Sequence, residues 1–104
     1  MTVTKKNILH YLYQLKNNFK NKGITSFALF GSFASGKQTL YSDIDIAIKK
    51  DKDFLKYNSS YDYFNIVSQI KLDMQKRFHR NIDIFDLNSN SPLKDQIEKE
   101  LIYV

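Results

Sequence analysis

The residues with the most chemical content lie between positions 30 and 48, which read Phe-Gly-Ser-Phe-Ala-Ser-Gly-Lys-Gln-Thr-Leu-Tyr-Ser-Asp-Ile-Asp-Ile-Ala-Ile. Successive side chains of an extended segment point to opposite faces, so Asp43 and Asp45 share one face and Ile44, Ile46 and Ile48 share the other. Two carboxylates held side by side repel each other. A hard divalent cation such as magnesium takes carboxylate oxygens and relieves that repulsion. Gly31 and Ser32 suit a phosphate, because glycine lets a ligand approach the backbone and serine adds a hydroxyl beside exposed N–H groups at a helix start. A metal beside a phosphate cradle points to nucleotide chemistry.

A third acid follows from the same parity argument. Asp83 lies in residues 81–87, flanked by Ile82 and Ile84, and so points away from the face those isoleucines bury. If this strand pairs with the one carrying Asp43 and Asp45, and both bury isoleucines against the same helices, the three acids converge on the open face. Asp86, three residues on, is expected to point the other way. Three clustered carboxylates can hold two divalent ions about 3.5 to 4 Å apart, an arrangement that stabilises the attacking and leaving oxygens of an in-line phosphoryl displacement. Asp43 and Asp45 would share both ions. Asp83 would hold the one that activates the incoming hydroxyl, and could accept that hydroxyl's proton.

These acids need strands to hold them and helices to bury the isoleucines behind them. Ile8, Leu12, Leu15 and Phe19 recur at helical steps and predict an amphipathic helix over residues 4–22, with Gly23 as its stop. Ile24–Phe30 reads as a buried strand, residues 32–37 as one helical turn, and residues 38–42 as a polar connection into a strand over 43–49. Residues 50–61 show little period and read as a surface loop. Phe64, Val67, Ile70, Met74 and Phe78 mark one side of a second long helix over residues 61–80, and residues 81–87 alternate as a third strand. After a turn at 88–90, Ser91 and Pro92 signal a helix start with Ser91 as the N-cap, and Leu93, Ile97 and Leu101 mark its short apolar face. Residues 102–104 are expected to be a short strand or a tail. The pattern predicts one α/β domain over residues 1–104, a small mixed β-sheet covered by helices on one face.

Composition narrows the function classes. With 104 residues, the chain can bury one core. Lys and Arg number 16 against 11 acids, a net charge of +5 that favours anionic partners without naming them. No basic run with interleaved aromatics stands out, so nucleic acid is discounted as a partner. Without cysteine, any metal must be held by oxygen or imidazole. No apolar stretch approaches the length of a membrane span, and the N-terminus has no continuous apolar region, so the expectation is a soluble, unexported, cytoplasmic protein with no membrane partner.

Gly-Ser, ten intervening residues, Asp-x-Asp, and a third Asp on a later strand resemble the nucleotidyltransferase superfamily of DNA polymerase beta. In size the chain is similar to the minimal nucleotidyltransferase family, antitoxin partners of HEPN-domain toxins. The resemblance covers roughly residues 24–87: Gly31 and Ser32, the spacer 33–42, Asp43 and Asp45, with Asp83 where the third carboxylate falls. It implies the polymerase beta-like nucleotidyltransferase fold, ATP as substrate, two magnesium ions with manganese as the alternative, and transfer of AMP with release of pyrophosphate. For the antitoxins it further implies a tyrosine hydroxyl of the cognate HEPN ribonuclease toxin as acceptor, and assembly as a homo-oligomer or as a hetero-oligomer with that partner. Many members carry an arginine where this chain has Ser35, and Lys37 is the cation available to stand in for it at the nucleotide.

Other readings compete. Gly31 to Gln38 nearly matches a P-loop, but Gln38 stands where a serine or threonine should bind magnesium, and a strand follows where a helix is required. An isolated Asp-x-Asp is most often a solvated strand start, a reading that leaves the Gly-Ser spacing and Asp83 unexplained. His10 and His79 have no partner at metal spacing and read as surface or helix-end residues. Two alternatives to protein adenylylation stay open: a non-catalytic antitoxin that neutralises its toxin by contact, and a nucleotidyltransferase acting on a small molecule.

Overall fold

A computed structural model describes residues 3–104. Helix α1, Lys5–Phe19, begins where the Thr4 side chain accepts a hydrogen bond from the Asn7 N–H at 3.1 Å, and it buries Ile8, Leu12, Leu15 and Phe19 as the spacing predicts. The expected extension to residue 22 is a 3-10 turn, closed by Gly23 in the left-handed region at φ 91°. Glycine is also required there for space, because a Cβ would come within 2.6 Å of the Phe54 ring.

The remaining elements are β1 (Ile24–Phe30), α2 (Ser32–Ser35), β2 (Ile44–Lys50), α3 (Phe54–Tyr57), α4 (Ser60–Phe78), β3 (Ile82–Asp86), α5 (Lys94–Glu98) and β4 (Ile102–Tyr103). The four strands form one mixed sheet in the order β3-β2-β1-β4. Strand β1 runs antiparallel to both β2 and β4, while β2 and β3 are parallel. A parallel pair needs a long crossover, and α3 and α4 supply it.

Alternation sorts the side chains between the two faces. Phe27 and Leu29, Ile44, Ile46 and Ile48, and Ile82 pack with α1 and with Ile70, Met74 and Phe78 of α4 into the main core. The opposite face carries a smaller cluster of Ala28, Ala47 and Leu87, flanked by Phe30, Phe85 and Leu101. The two long helices, α1 and α4, therefore pack on one face as expected, while the second face is partly floored by apolar side chains instead of lying bare. No helix among the described residues is long and apolar enough to cross a membrane.

Three local expectations change. Residues 50–61 are not all loop: they contain α3, whose Phe54 is buried and meets the Tyr63 ring edge-on at 5.7 Å. Tyr63 thereby takes the inward position at the start of α4, with the Lys50 ammonium 4.6 Å from its ring centre. The apolar line runs through Tyr63, Val67, Ile70, Met74 and Phe78, and Phe64, about 100° round the helix from Tyr63, is 64% exposed instead of core. Helix α4 starts at a capping box in which Ser59 and Asp62 exchange hydrogen bonds of 3.0 and 2.8 Å. The last helix begins at Lys94 and not at Pro92: Ser91 Oγ accepts from the Leu93 N–H at 3.2 Å, but Leu93 remains outside the helix and exposed.

The register of α4 can be checked by unfolding in urea. Phe64→Ser is expected to change stability by no more than about 0.5 kcal/mol, as for other exposed positions. Phe78→Ala is expected to cost about 3 to 5 kcal/mol, the range for emptying a buried phenylalanine site.

Candidate active site

The site is set by strand register. Asp45 of β2 stands opposite Asp83 of parallel β3 and, on its other side, opposite Phe30 of β1. Phe30 is the last residue of β1, so Gly31 and Ser32 leave the sheet at the level of Asp45. The ten-residue spacer 33–42 is the length of chain that makes the short helix α2, turns, and re-enters the sheet beside the strand it left. Asp43 lies just ahead of β2, whose first residue, Ile44, donates its N–H to the Asn81 carbonyl at 3.0 Å at the entry to β3.

Gly31 is constrained twice. Its backbone, at φ 74° and ψ −153°, lies in a region that essentially only glycine enters. A Cβ at this position would overlap Oδ2 of Asp45. The absent side chain is therefore the space in which the Asp45 carboxyl sits, and the glycine before Ser32 is fixed by a carboxylate 14 positions later in the chain.

Asp45 and Asp83 form the tight pair. Burial against the second-face floor, then the Asp83 charge and a hydrogen bond to Asp83, then Asp43 and Glu100, push the Asp45 carboxyl up to about 6. Phe30 and Phe85, edge to face at 6.4 Å, contribute aromatic surface to that floor. Asp43 is exposed beside the pair, so all three acids expected from the sequence lie at one end of the second face. Asp86 points to the main-core side, where its Oδ2 accepts from Lys50 Nζ at 2.9 Å. There, burial first and the Asp86 charge second push the Tyr63 hydroxyl well above its usual range.

Among the described residues no group of three or more His, Cys, Asp or Glu side chains stands arranged to hold a metal ion. The donor set nonetheless fits a hard cation. It is all oxygen, and its central carboxyl, raised first by burial and then by Asp83, Asp43 and Glu100, is one whose ionisation a bound cation would favour.

Two residues near the acids carried no signal that periodicity or spacing could expose. Glu100 reaches the pair from the segment between α5 and β4. Arg80 follows His79, which ends α4 in the left-handed region at φ 54°. Arg80 Nη1 donates to the Ser42 carbonyl at 2.7 Å and to the Thr39 carbonyl at 3.5 Å, and its guanidinium lies 5.6 Å from the centre of the buried Phe33 ring. It ties α2, the turn before Asp43 and the entry to β3 together. Ser35 is exposed at the end of α2 and only bonds back to the Ser32 carbonyl at 3.3 Å, while Lys37 is exposed just beyond Gly36.

A family model described as "Polymerase beta, Nucleotidyltransferase" matches residues 13–104. A protein of Methanocaldococcus jannaschii named "Putative protein adenylyltransferase" is 36% identical over 96 residues, covering 86% of this chain and 83% of its own. A solved structure described as a "putative minimal nucleotidyltransferase" superposes with a TM-score of 0.69 at 19% identity, covering 96% of this chain and 95% of the other. Another, a toxin-antitoxin complex with AMP-PNP, superposes with a TM-score of 0.61 at 19% identity over 88% and 69% of the two chains.

The raised Asp45 carboxyl has a consequence for stability. Its folded-state value of about 6 lies above the unfolded value of 3.8. The folded protein is thus penalised for ionising Asp45 fully above pH 6, progressively less as pH falls, and not at all below about pH 4. Asp45→Asn removes the charge and should stabilise the metal-free protein at pH 7.5 by about 1 kcal/mol after solvent screening, or roughly 4 to 8 °C in Tm. The gain should vanish towards pH 4 in thermal unfolding followed by circular dichroism.

Proposed function

Because the chain belongs to the polymerase beta nucleotidyltransferase family, we propose that it is a protein adenylyltransferase, a single minimal nucleotidyltransferase domain that moves AMP from ATP to a tyrosine hydroxyl of a HEPN-domain toxin and so neutralises it. The observation that carries the reading is the row formed by Gly31, Asp45 and Asp83 at one level of the sheet. A purely contact-based antitoxin has no use for a carboxyl pair that costs stability. The name of the archaeal relative favours a protein acceptor, and the toxin-antitoxin neighbour with AMP-PNP favours a toxin partner and an adenine nucleotide.

Asp43, Asp45 and Asp83 would hold two magnesium ions, which when bound supply Lewis-acid stabilisation of the attacking and leaving oxygens. Gly31 gives the triphosphate close access to the backbone, and Ser32 offers a hydroxyl to it. Lys37, flexible and exposed, provides a point charge for phosphate oxygens. The acceptor oxygen attacks the α-phosphorus of ATP, the bond to the bridging oxygen of pyrophosphate breaks, and Asp83 takes the acceptor's proton. AMP ends as a phosphodiester on the tyrosine.

The test is the intact mass of the co-expressed product of the adjacent gene, after incubation with this protein, ATP and magnesium. Increments of one or more AMP units are expected. Asp43→Asn with Asp45→Asn should lower the rate more than about a hundredfold while leaving the fold intact, since even outer-sphere changes at metal sites cost ten- to a hundredfold. No increment, with a stable complex that still silences the partner, would replace this reading with neutralisation by contact.

A further inference from the structure

Next to the acids, residues 38–42 form a turn that spends its hydrogen bonds on its own shape. Ser42 Oγ accepts from the Thr39 N–H at 2.8 Å, Thr39 Oγ1 accepts from the Tyr41 N–H at 3.2 Å, and the Ser42 N–H returns to the Thr39 carbonyl at 3.2 Å. Arg80 grips the same two residues from below through their carbonyls. At the tip stand Leu40, 83% exposed, and Tyr41, 93% exposed. A braced turn that displays a leucine and a tyrosine to water, one and two residues ahead of the Ser-Asp that opens β2, buries nothing for the fold itself.

We infer that the Leu40–Tyr41 tip, braced by Arg80, is the docking element for the acceptor: a protein whose acceptor hydroxyl lies at the edge of an apolar recess that receives these two side chains. The inference rests on the adenylyltransferase reading for the acceptor's role, and goes beyond it in saying what recognises that acceptor.

Shape selects a macromolecule over a small ligand. Small molecules are held in concave sites that bury most of their surface, whereas side chains exposed this far offer no wall to enclose a base or a sugar. A convex apolar anchor instead fills a pocket on a partner, the way tyrosines act at interface hot spots. Charge selects protein over nucleic acid. Residues 38–42 carry no charge, and Lys37 and Arg80, the cations that flank the turn, are outnumbered by Asp43, Asp45, Asp83 and Glu100, which repel a phosphate backbone. Rigidity completes the case, because a turn already fixed by Arg80 loses little freedom when it docks.

The experiment uses the full chain, the product of the adjacent gene, and Leu40→Ser with Tyr41→Ser. Three quantities are read: affinity for that protein, KM and kcat for its labelling with AMP, and affinity for a nonhydrolysable ATP analogue with manganese. The double variant should weaken complex formation and raise KM by about tenfold or more, as loss of an interface anchor does, with kcat and analogue affinity within about twofold of wild type. Arg80→Ala, which keeps both tip side chains but frees the turn, should raise KM in the same direction, with partial rescue by Arg80→Lys and slower backbone hydrogen exchange at residues 39–42 restored in parallel. Unchanged affinity and KM in the double variant would overturn the docking role, as would a fall in analogue affinity, which would make the tip a base platform. If wild type binds the partner through the tip but never labels it, docking stands and adenylylation falls. If wild type neither binds nor labels it, both fall.

Discussion

Carboxylates that face each other across adjacent parallel strands repel, and most of this fold can be understood as what holds Asp45 and Asp83 in place regardless. Their strands are locked from behind by isoleucines at matching levels: Ile44 beside Ile82 and Ile46 beside Ile84, with Ile48 completing the row on β2. Slipping either strand by one residue would separate the acids, but it would also turn every isoleucine towards the opposite face. The apolar cost of that slip far exceeds the repulsion between one pair of partly solvated carboxyls. The core thus fixes the electrostatics of the opposite face, and the acids share one level because β-branched residues do.

The same lock explains why so much of the site could be read from the sequence. Alternation placed Asp45 and Asp83 on one face and excluded Asp86, because period two is a property of the strand and needs no knowledge of its neighbours. Helix α1 is readable from its apolar spacing for a similar reason. The Gly31 to Asp45 spacing is legible only through the family resemblance, and phosphate access is the role the sequence suggests for Gly31; the contact that demands the glycine is the Asp45 carboxyl, 14 positions away.

What escaped had no period. Phe54 sits in a segment too short to repeat, yet its ring decides which residue of α4 faces inward, so Tyr63 displaces Phe64 from the position a purely helical count gives it. Arg80 reads as one more cation at the end of a lysine-rich helix; only the left-handed turn at His79 aims it at the Thr39 and Ser42 carbonyls. Glu100 follows a short helix whose start the Ser91-Pro92 signal places too early. In each case the deciding contact joins residues from different elements, so local composition carries no trace of it.

Glu100 shows how the last residues contribute to the site. Strand β4 is only two residues long, yet it pairs with β1 through Tyr103 opposite Ala28 and Ile102 opposite Leu29. The Val104 N–H extends the pairing to the Phe27 carbonyl at 3.1 Å, and Lys16 of α1 donates to the Val104 carbonyl at 2.9 Å. This anchoring brings Leu101 against the second-face cluster and leaves Glu100 close enough to add to the field on Asp45. A short edge strand is a weak element alone, but here it sets the position of a fourth negative charge. Loosening β4 would therefore weaken the smallest of the contributions that raise the Asp45 carboxyl, through charge alone, although none of the segment's residues belongs to the Gly-Ser and Asp-x-Asp pattern.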